Sequence, residues 1–216
     1  MPNTLRAAEL PFVVKVCGVT SEDELETSVE AGANAIGFNF YSKSPRFLTA
    51  ERARQMVRSV RGPYLKVGVF VNPSEEELIE TASHAPLDVL QLHGEPPSPH
   101  LAGSFRIWQS THPSIARETL DPNVEAWLLD TPTPQYGGSG QSFDWSLAAG
   151  FPRRAIVAGG LDASNVALAI RVARPWGVDA CSRLESAPGQ KDPARIQLFV
   201  EAALAAFSKQ PLEIHS

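Results

Sequence analysis

"VVKVCGVT", residues 13–20, begins as a buried strand and stops being one at Gly18. Its β-branched run predicts a place in a sheet. Yet the run carries Lys15 and ends in a thiol, Cys17. Directly after it, "TSEDELETSVEAGA" supplies a Thr/Ser cap, acids in the first turn and a closing Gly32, the pattern of an α-helix. A strand handing over to a helix through one short turn is a βα unit. A free cysteine there is ordinarily a small core hydrophobe, so its chemical interest depends on what the rest of the chain builds around that strand end.

The same alternation runs outward along the chain. Apolar runs at residues 13–17, 35–40, 65–71, 89–93, 105–110, 125–130, 154–159 and 178–182 each end at polar or glycine residues. They are near-continuously apolar, as expected of parallel strands covered on both faces. Between them, "LTAERARQMVRSVRG" and "NPSEEELIETASHA" read as helices, the second with Ser74 and Glu77 in a capping box. "HPSIARETL" and "NVALAIRVA" are shorter, and "DPARIQLFVEAALAAF" closes the series with Pro193 near its first position. "SPHLAG" and "DWSLAAG" read as poor helices. Eight βα units in this length predict a single (β/α)8 TIM barrel spanning residues 1–216, with 1–12 as an N-terminal extension. A doubly wound open sheet is the competing architecture, but the first turn, "CGVTSED", lacks its glycine fingerprint.

Composition narrows the function classes. The 216 residues are 43% hydrophobic and carry a net charge of −5 without a basic stripe, which argues against a nucleic-acid partner. No apolar run approaches the roughly 18 residues of a membrane span, so no membrane partner is expected. Two cysteines far apart in sequence make neither a disulfide framework nor a zinc site, and the expected compartment is the reducing cytoplasm.

In a barrel the chemistry belongs at the C-terminal ends of the strands. Those ends read Cys17, Asn39, Asn72, His93, Gln109, Asp130, Gly159 with Gly160, and Asp179 with Ser182. Thiol, imidazole and carboxylate groups converging on one rim suit acid–base catalysis. The loops after the seventh and eighth strands, "AGGLDASN" and "CSRLES", are where barrels frequently hold a phosphate through backbone N–H groups. Arg46, in "SPRF" after the second strand, offers a guanidinium for a carboxylate. "YGGSGQSFDW", residues 136–145, lacks the Gly-Lys-Ser/Thr ending of a nucleotide loop and reads instead as a loop beside Asp130 that closes over a substrate.

In order along the chain, "VKVCGVT", "GFNFYSKSPRF", "VGVFVN", "VLQLHG", "LLDT" with "GGSGQSFDW", "GGLDASNV", "GVDACSRLES" and "PGQKDPARIQLFV" resemble the phosphoribosylanthranilate isomerase family of tryptophan biosynthesis. The resemblance implies an Amadori rearrangement of a phosphorylated small molecule, with no metal or cofactor, by a monomer or homodimer. It implies Asp130 as general acid and Cys17 as general base, Lys15 at i−2 being one source of a lowered thiol pKa. It implies Arg46 at the anthranilate carboxylate, Asp179 near the sugar, and Gly159, Gly160, Ser182 and Arg183 at the phosphate. Two positions depart from the family pattern. Arg183 replaces an expected glycine, and Cys181 an expected serine or asparagine. A related barrel acting on another sugar phosphate, or a non-catalytic phospho-ligand barrel, are the alternatives at this point.

Overall fold

The chain's computed structural model describes residues 10–96, 98–115, 120–130 and 143–210. Eight parallel strands form the centre: β1 (Val13–Cys17), β2 (Ala35–Asn39), β3 (Leu65–Val71), β4 (Val89–His93), β5 (Ile107–Thr111), β6 (Ala126–Leu129), β7 (Ala155–Val157) and β8 (Gly177–Ala180). Each pairs with the next, and β8 returns to β1 with Ala180 opposite Val16. That closure excludes the open sheet, whose outer strands would remain unpaired.

Helices α1 (Glu22–Glu30), α2 (Ala50–Ser59), α3 (Glu75–His84), α4 (Pro99–Ser104), α5 (Val166–Ala173) and α6 (Pro193–Phe207) connect or close the units. Their starts obey the local chemistry anticipated. Ser21, Thr49 and Ser74 each accept a hydrogen bond from the backbone N–H three residues on, at 3.3, 3.2 and 3.1 Å. Such caps contribute about 1 kcal/mol each. The two weak helical segments diverge. "SPHLAG" forms α4, started by a Ser98 cap, whereas "DWSLAAG" makes only a 3-10 turn, Trp145–Ala148, capped by Asp144. Residues 116–119 of "HPSIARETL", residues 1–9 of the extension and residues 131–142 beside Asp130 lie outside the described residues. Among the described residues no helix is long and apolar enough to cross a membrane.

The two-residue strand period sorts side chains into two cores. Val14, Val16, Ile36, Phe38, Val178 and Ala180 point outward and pack under the helices. Val13, Ala35, Leu65, Val67, Val89, Trp108, Ala126, Leu128 and Ile156 point inward and fill the lower barrel with Trp176. Trp108 and Trp176 meet edge to face at 5.8 Å, and Trp176 Nε1 donates to the Leu10 carbonyl at 3.1 Å. Fully burying side chains of this kind contributes about 1.5–3 kcal/mol apiece. The lower barrel is thus a packed floor.

One element has no counterpart in the sequence reading. After β8 the chain makes a 3-10 turn at Ser182–Leu184. It then forms an antiparallel hairpin of β9 (Glu185–Ala187) and β10 (Gln190–Lys191) before α6. The eighth strand therefore ends at Ala180, short of the expected residue 182. Thr20 Oγ1 donates to the Gly189 carbonyl at 3.0 Å, and Glu24 Oε1 accepts from Lys191 N at 2.7 Å. These bonds staple the hairpin to the turn that follows Cys17.

Candidate active site

Continuing each inward column upward replaces apolar residues by polar ones. Val13 leads to Lys15 and Cys17, Val89 to Gln91 and His93, Ala126 and Leu128 to Asp130, and Gly177 to Asp179 and Cys181. Cys17, Gln91, His93, Asp130, Asp179 and Cys181, with Asn39, Arg46 and others, line a cavity of about 380 Å³ at the C-terminal rim. The volume suits a small-molecule ligand. Lys15 lies just beneath it, fully buried.

Cys17 is held in a crowded setting. A Cβ on Gly37, its partner in β2, would lie 2.7 Å from Cys17 Sγ and 3.2 Å from Lys15 Nζ. Gly18 has φ of +73°, and a Cβ there would come within 2.5 Å of Arg46 Cδ and 3.2 Å of Cys181 Sγ. Glycine is needed at both places, for close approach at Gly37 and for approach plus a left-handed backbone at Gly18. That is why the first strand breaks where it does.

Lys15 Nζ donates to Asp179 Oδ1 at 2.7 Å, within side chains 0% and 8% exposed. Burial works against the Lys15 ammonium, but Asp179 and Cys17 outweigh it and raise its pKa above the ordinary value. The expectation that Lys15 would lower the Cys17 pKa is overtaken by two larger effects. A hydrogen bond with Cys181 and then burial push the Cys17 thiol well up, with Lys15 only partly opposing them. Cys181 moves the other way, down to about 6, first through that hydrogen bond from Cys17 and then through Lys191 and Arg46.

Arg46 does not stand free on the rim. Its Nε and Nη2 donate to Glu185 Oε1 and Oε2 at 2.6 and 2.8 Å, a bidentate fork. Lys191 Nζ joins the same carboxylate at 2.8 Å, and reaches the Cys181 carbonyl at 3.1 Å and its sulfur at 3.7 Å. Burial raises the Glu185 pKa, but the Arg46 and Lys191 charges more than cancel that and hold it below the usual carboxylate value. Sequence reasoning missed Glu185 and Lys191. The only available signal was the Pro188-Gly189 pair, a turn marker between two polar flanks.

Five of the anticipated rim residues, Cys17, Asn39, His93, Asp130 and Asp179, line the cavity, as do Arg46 and Cys181. Gln109 turns away, donating to the Gly94 carbonyl at 3.0 Å. Asn72 adopts φ of +45° in the turn after β3 and is not part of the lining. His93 receives the Gln91 amide at Nε2, 2.9 Å away, and burial followed by Lys15 pushes its pKa down to about 4, so the ring is neutral. Gly159, Gly160, Ser182 and Arg183 also stand outside the lining, on the loops after β7 and β8. Both glycines are left-handed, at φ of +83° and +62°. Arg183 Nη1 reaches Asp162 Oδ2 at 3.4 Å, bridging the two loops.

A family model described as N-(5'phosphoribosyl)anthranilate (PRA) isomerase matches residues 14–202. The N-(5'-phosphoribosyl)anthranilate isomerase of Solibacter usitatus is 48% identical over 199 residues, covering 90% of this chain and 98% of its own length. The Thermotoga maritima enzyme of that name is 40% identical, covering 88% and 97%. Its crystal structure superposes with a TM-score of 0.82 at 37% identity, over 90% of this chain and 99% of that one. A further structure, in complex with reduced 1-(o-carboxyphenylamino)-1-deoxyribulose 5-phosphate, gives a TM-score of 0.76 at 34% identity, over 90% and 99%.

Proposed function

Because this chain belongs to the N-(5'-phosphoribosyl)anthranilate isomerase family, we propose that Asp130 and Cys17 are the acid and base of its reaction. The enzyme is an isomerase of tryptophan biosynthesis. It turns N-(5'-phosphoribosyl)anthranilate into 1-(2-carboxyphenylamino)-1-deoxyribulose 5-phosphate. Asp130 protonates the furanose ring oxygen, the C1–O bond breaks, and a protonated Schiff base forms at C1. The cationic nitrogen acidifies the proton on C2, so a thiol-derived base is strong enough to remove it. Cys17 takes that proton, and the resulting enolamine tautomerises to the ketone.

The observation carrying this reading is that Cys17, from β1, and Asp130, beyond β6, line one rim cavity. Arg46 meets the anthranilate carboxylate through Nη1, because Nε and Nη2 are taken by Glu185. Asp179 lies near the sugar, and Gly159, Gly160, Ser182 and Arg183 receive the phosphate. Residues 1–216 act as one domain with 1–12 as an extension, in the cytoplasm, as a monomer or homodimer. The T. maritima protein is described as dimeric.

The test follows the anthranilate fluorescence of the substrate. Cys17→Ser and Asp130→Asn should each lower kcat by about a hundredfold or more while product binding and folding persist, since both groups act on protons in the transition state. A variant within tenfold of the parent kcat loses its assigned role.

A further inference from the structure

The acid–base assignment leaves one polar cluster without a task. Arg46 and Lys191 bring two positive charges to the side of Cys181, and Glu185, buried between them, brings one negative charge. Lys15 and Asp179, beneath, cancel one another. Around the Cys181 sulfur itself Arg46 and Lys191 therefore face one carboxylate, Glu185, while Glu24, from α1, meets Lys191 at its backbone N–H, 2.7 Å away. Lys191 Nζ, which shares Glu185 with Arg46, has the Cys181 sulfur as a further neighbour at 3.7 Å. Register brings the second thiol to it: Val16 is opposite Ala180, so Cys17 and Cys181 are the next residues on adjacent strands. Of the other titratable groups on the cavity, His93 is neutral. Tyr41, Lys43 and Asp130 stand on its lining, outside the contacts made by Lys191, and Arg195, from α6, donates to the Glu185 backbone carbonyl.

Resting on the acid–base reading above, we propose that Cys181 is a positioning residue for the base. It and Cys17 form a thiol–thiolate pair that holds one proton, with the negative charge kept on Cys181 by Lys191. When the substrate carboxylate arrives at Arg46, it adds a second anion to the Arg46 and Lys191 cations and makes the Cys181 charge redundant. The Cys17 proton then passes to the Cys181 sulfur, leaving a Cys17 thiolate beside the cationic Schiff base. Cys17 takes the C2 proton, so the pair ends neutral with two protons. It releases one to solvent on product departure, and Asp130, deprotonated in the ring-opening step, regains one. The serine or asparagine expected at this position would hold Cys17 by a hydrogen bond but would not store its proton.

The chain's two cysteines make this readable by thiolate absorbance near 240 nm on the full-length protein without substrate. The parent should show one thiolate at pH 7.5, lost on acidification with a midpoint near 6. Cys17→Ser should keep that thiolate. Cys181→Ser should lose it, leaving one thiol that titrates at least about two pH units higher. In turnover, the acid limb of kcat/KM should move upward by a similar interval in Cys181→Ser, with about tenfold loss at pH 7 recovered near pH 9, and KM little changed. A structural role alone would not move that limb. In the parent, pH-dependent alkylation by iodoacetamide followed by peptide mapping should assign the low-pH reactive thiolate to Cys181, whatever the variants do. A parent without thiolate at pH 7.5, a thiolate lost in Cys17→Ser, or an unmoved acid limb would each overturn the proposal. Intact thiolate titration without turnover of phosphoribosylanthranilate would instead sink the acid–base reading and leave the pair standing.

Discussion

Lys15 and Asp179 are register partners on β1 and β8, and their side chains meet at 2.7 Å inside the barrel, between the packed floor and the cavity. Removing one member leaves the other charge buried. Asp179→Asn should therefore cost about 3–5 kcal/mol in urea unfolding. The double variant Lys15→Met, Asp179→Leu should recover most of that loss, because neither charge remains. A single-variant cost below about 1 kcal/mol would mean that the pair is effectively solvated.

Arg46 pairs with Glu185 and is proposed to meet the substrate carboxylate, and its variants should separate the two roles. Arg46→Ala leaves Glu185 paired with Lys191, so the fold should persist. Binding of a carboxylate-bearing substrate should weaken about tenfold or more, the loss of one charge-assisted bond. A decarboxylated analogue should bind parent and variant alike. If the variant still prefers the carboxylated compound as strongly as the parent does, another group holds the carboxylate.

Arg183 occupies a position where the family pattern has glycine, yet its backbone does not require one. Among the described residues only Asn72 and Arg174 are non-glycines with positive φ. Its side chain is half exposed and pairs with Asp162 at 3.4 Å, a contact of small energetic weight. Arg183→Gly should fold with stability within about 0.5 kcal/mol of parent. With Arg183 at the phosphate, as proposed, its loss should make KM depend less on ionic strength. A large rise in kcat/KM would show instead that the arginine obstructs the phosphate loops.

His93 should contribute to acid sensitivity. Its pKa in the fold is about 4, against about 6.5 for an unfolded histidine. Between those values the unfolded chain binds the proton more readily, so stability falls as pH drops through the window from 6.5 to 4. The slope is at most about 1.4 kcal/mol per pH unit. Urea midpoints at pH 7 and pH 5 should separate more for the parent than for His93→Gln. Equal separations would remove His93 from the acid-labile groups.

The sequence by itself determined the barrel and the rim. Eight apolar runs alternating with capped helices leave few architectures, because a parallel strand needs a crossover and both faces covered. The strand period then carries Cys17 to the same interior as Val13, Asp130 to that of Ala126 and Leu128, and Asp179 and Cys181 to one face of β8 and its extension. Tertiary structure alone decided how the charges pair. Arg46 and Glu185 are 139 positions apart, and Lys15 and Asp179 are 164 apart. No local propensity reports on such partners. The hairpin carrying Glu185 and Lys191 is two short strands, with too few residues to show a period, and it is held by bonds to the turn after Cys17. Electrostatic energy depends on separation in space and on burial, and neither is set by separation along the chain.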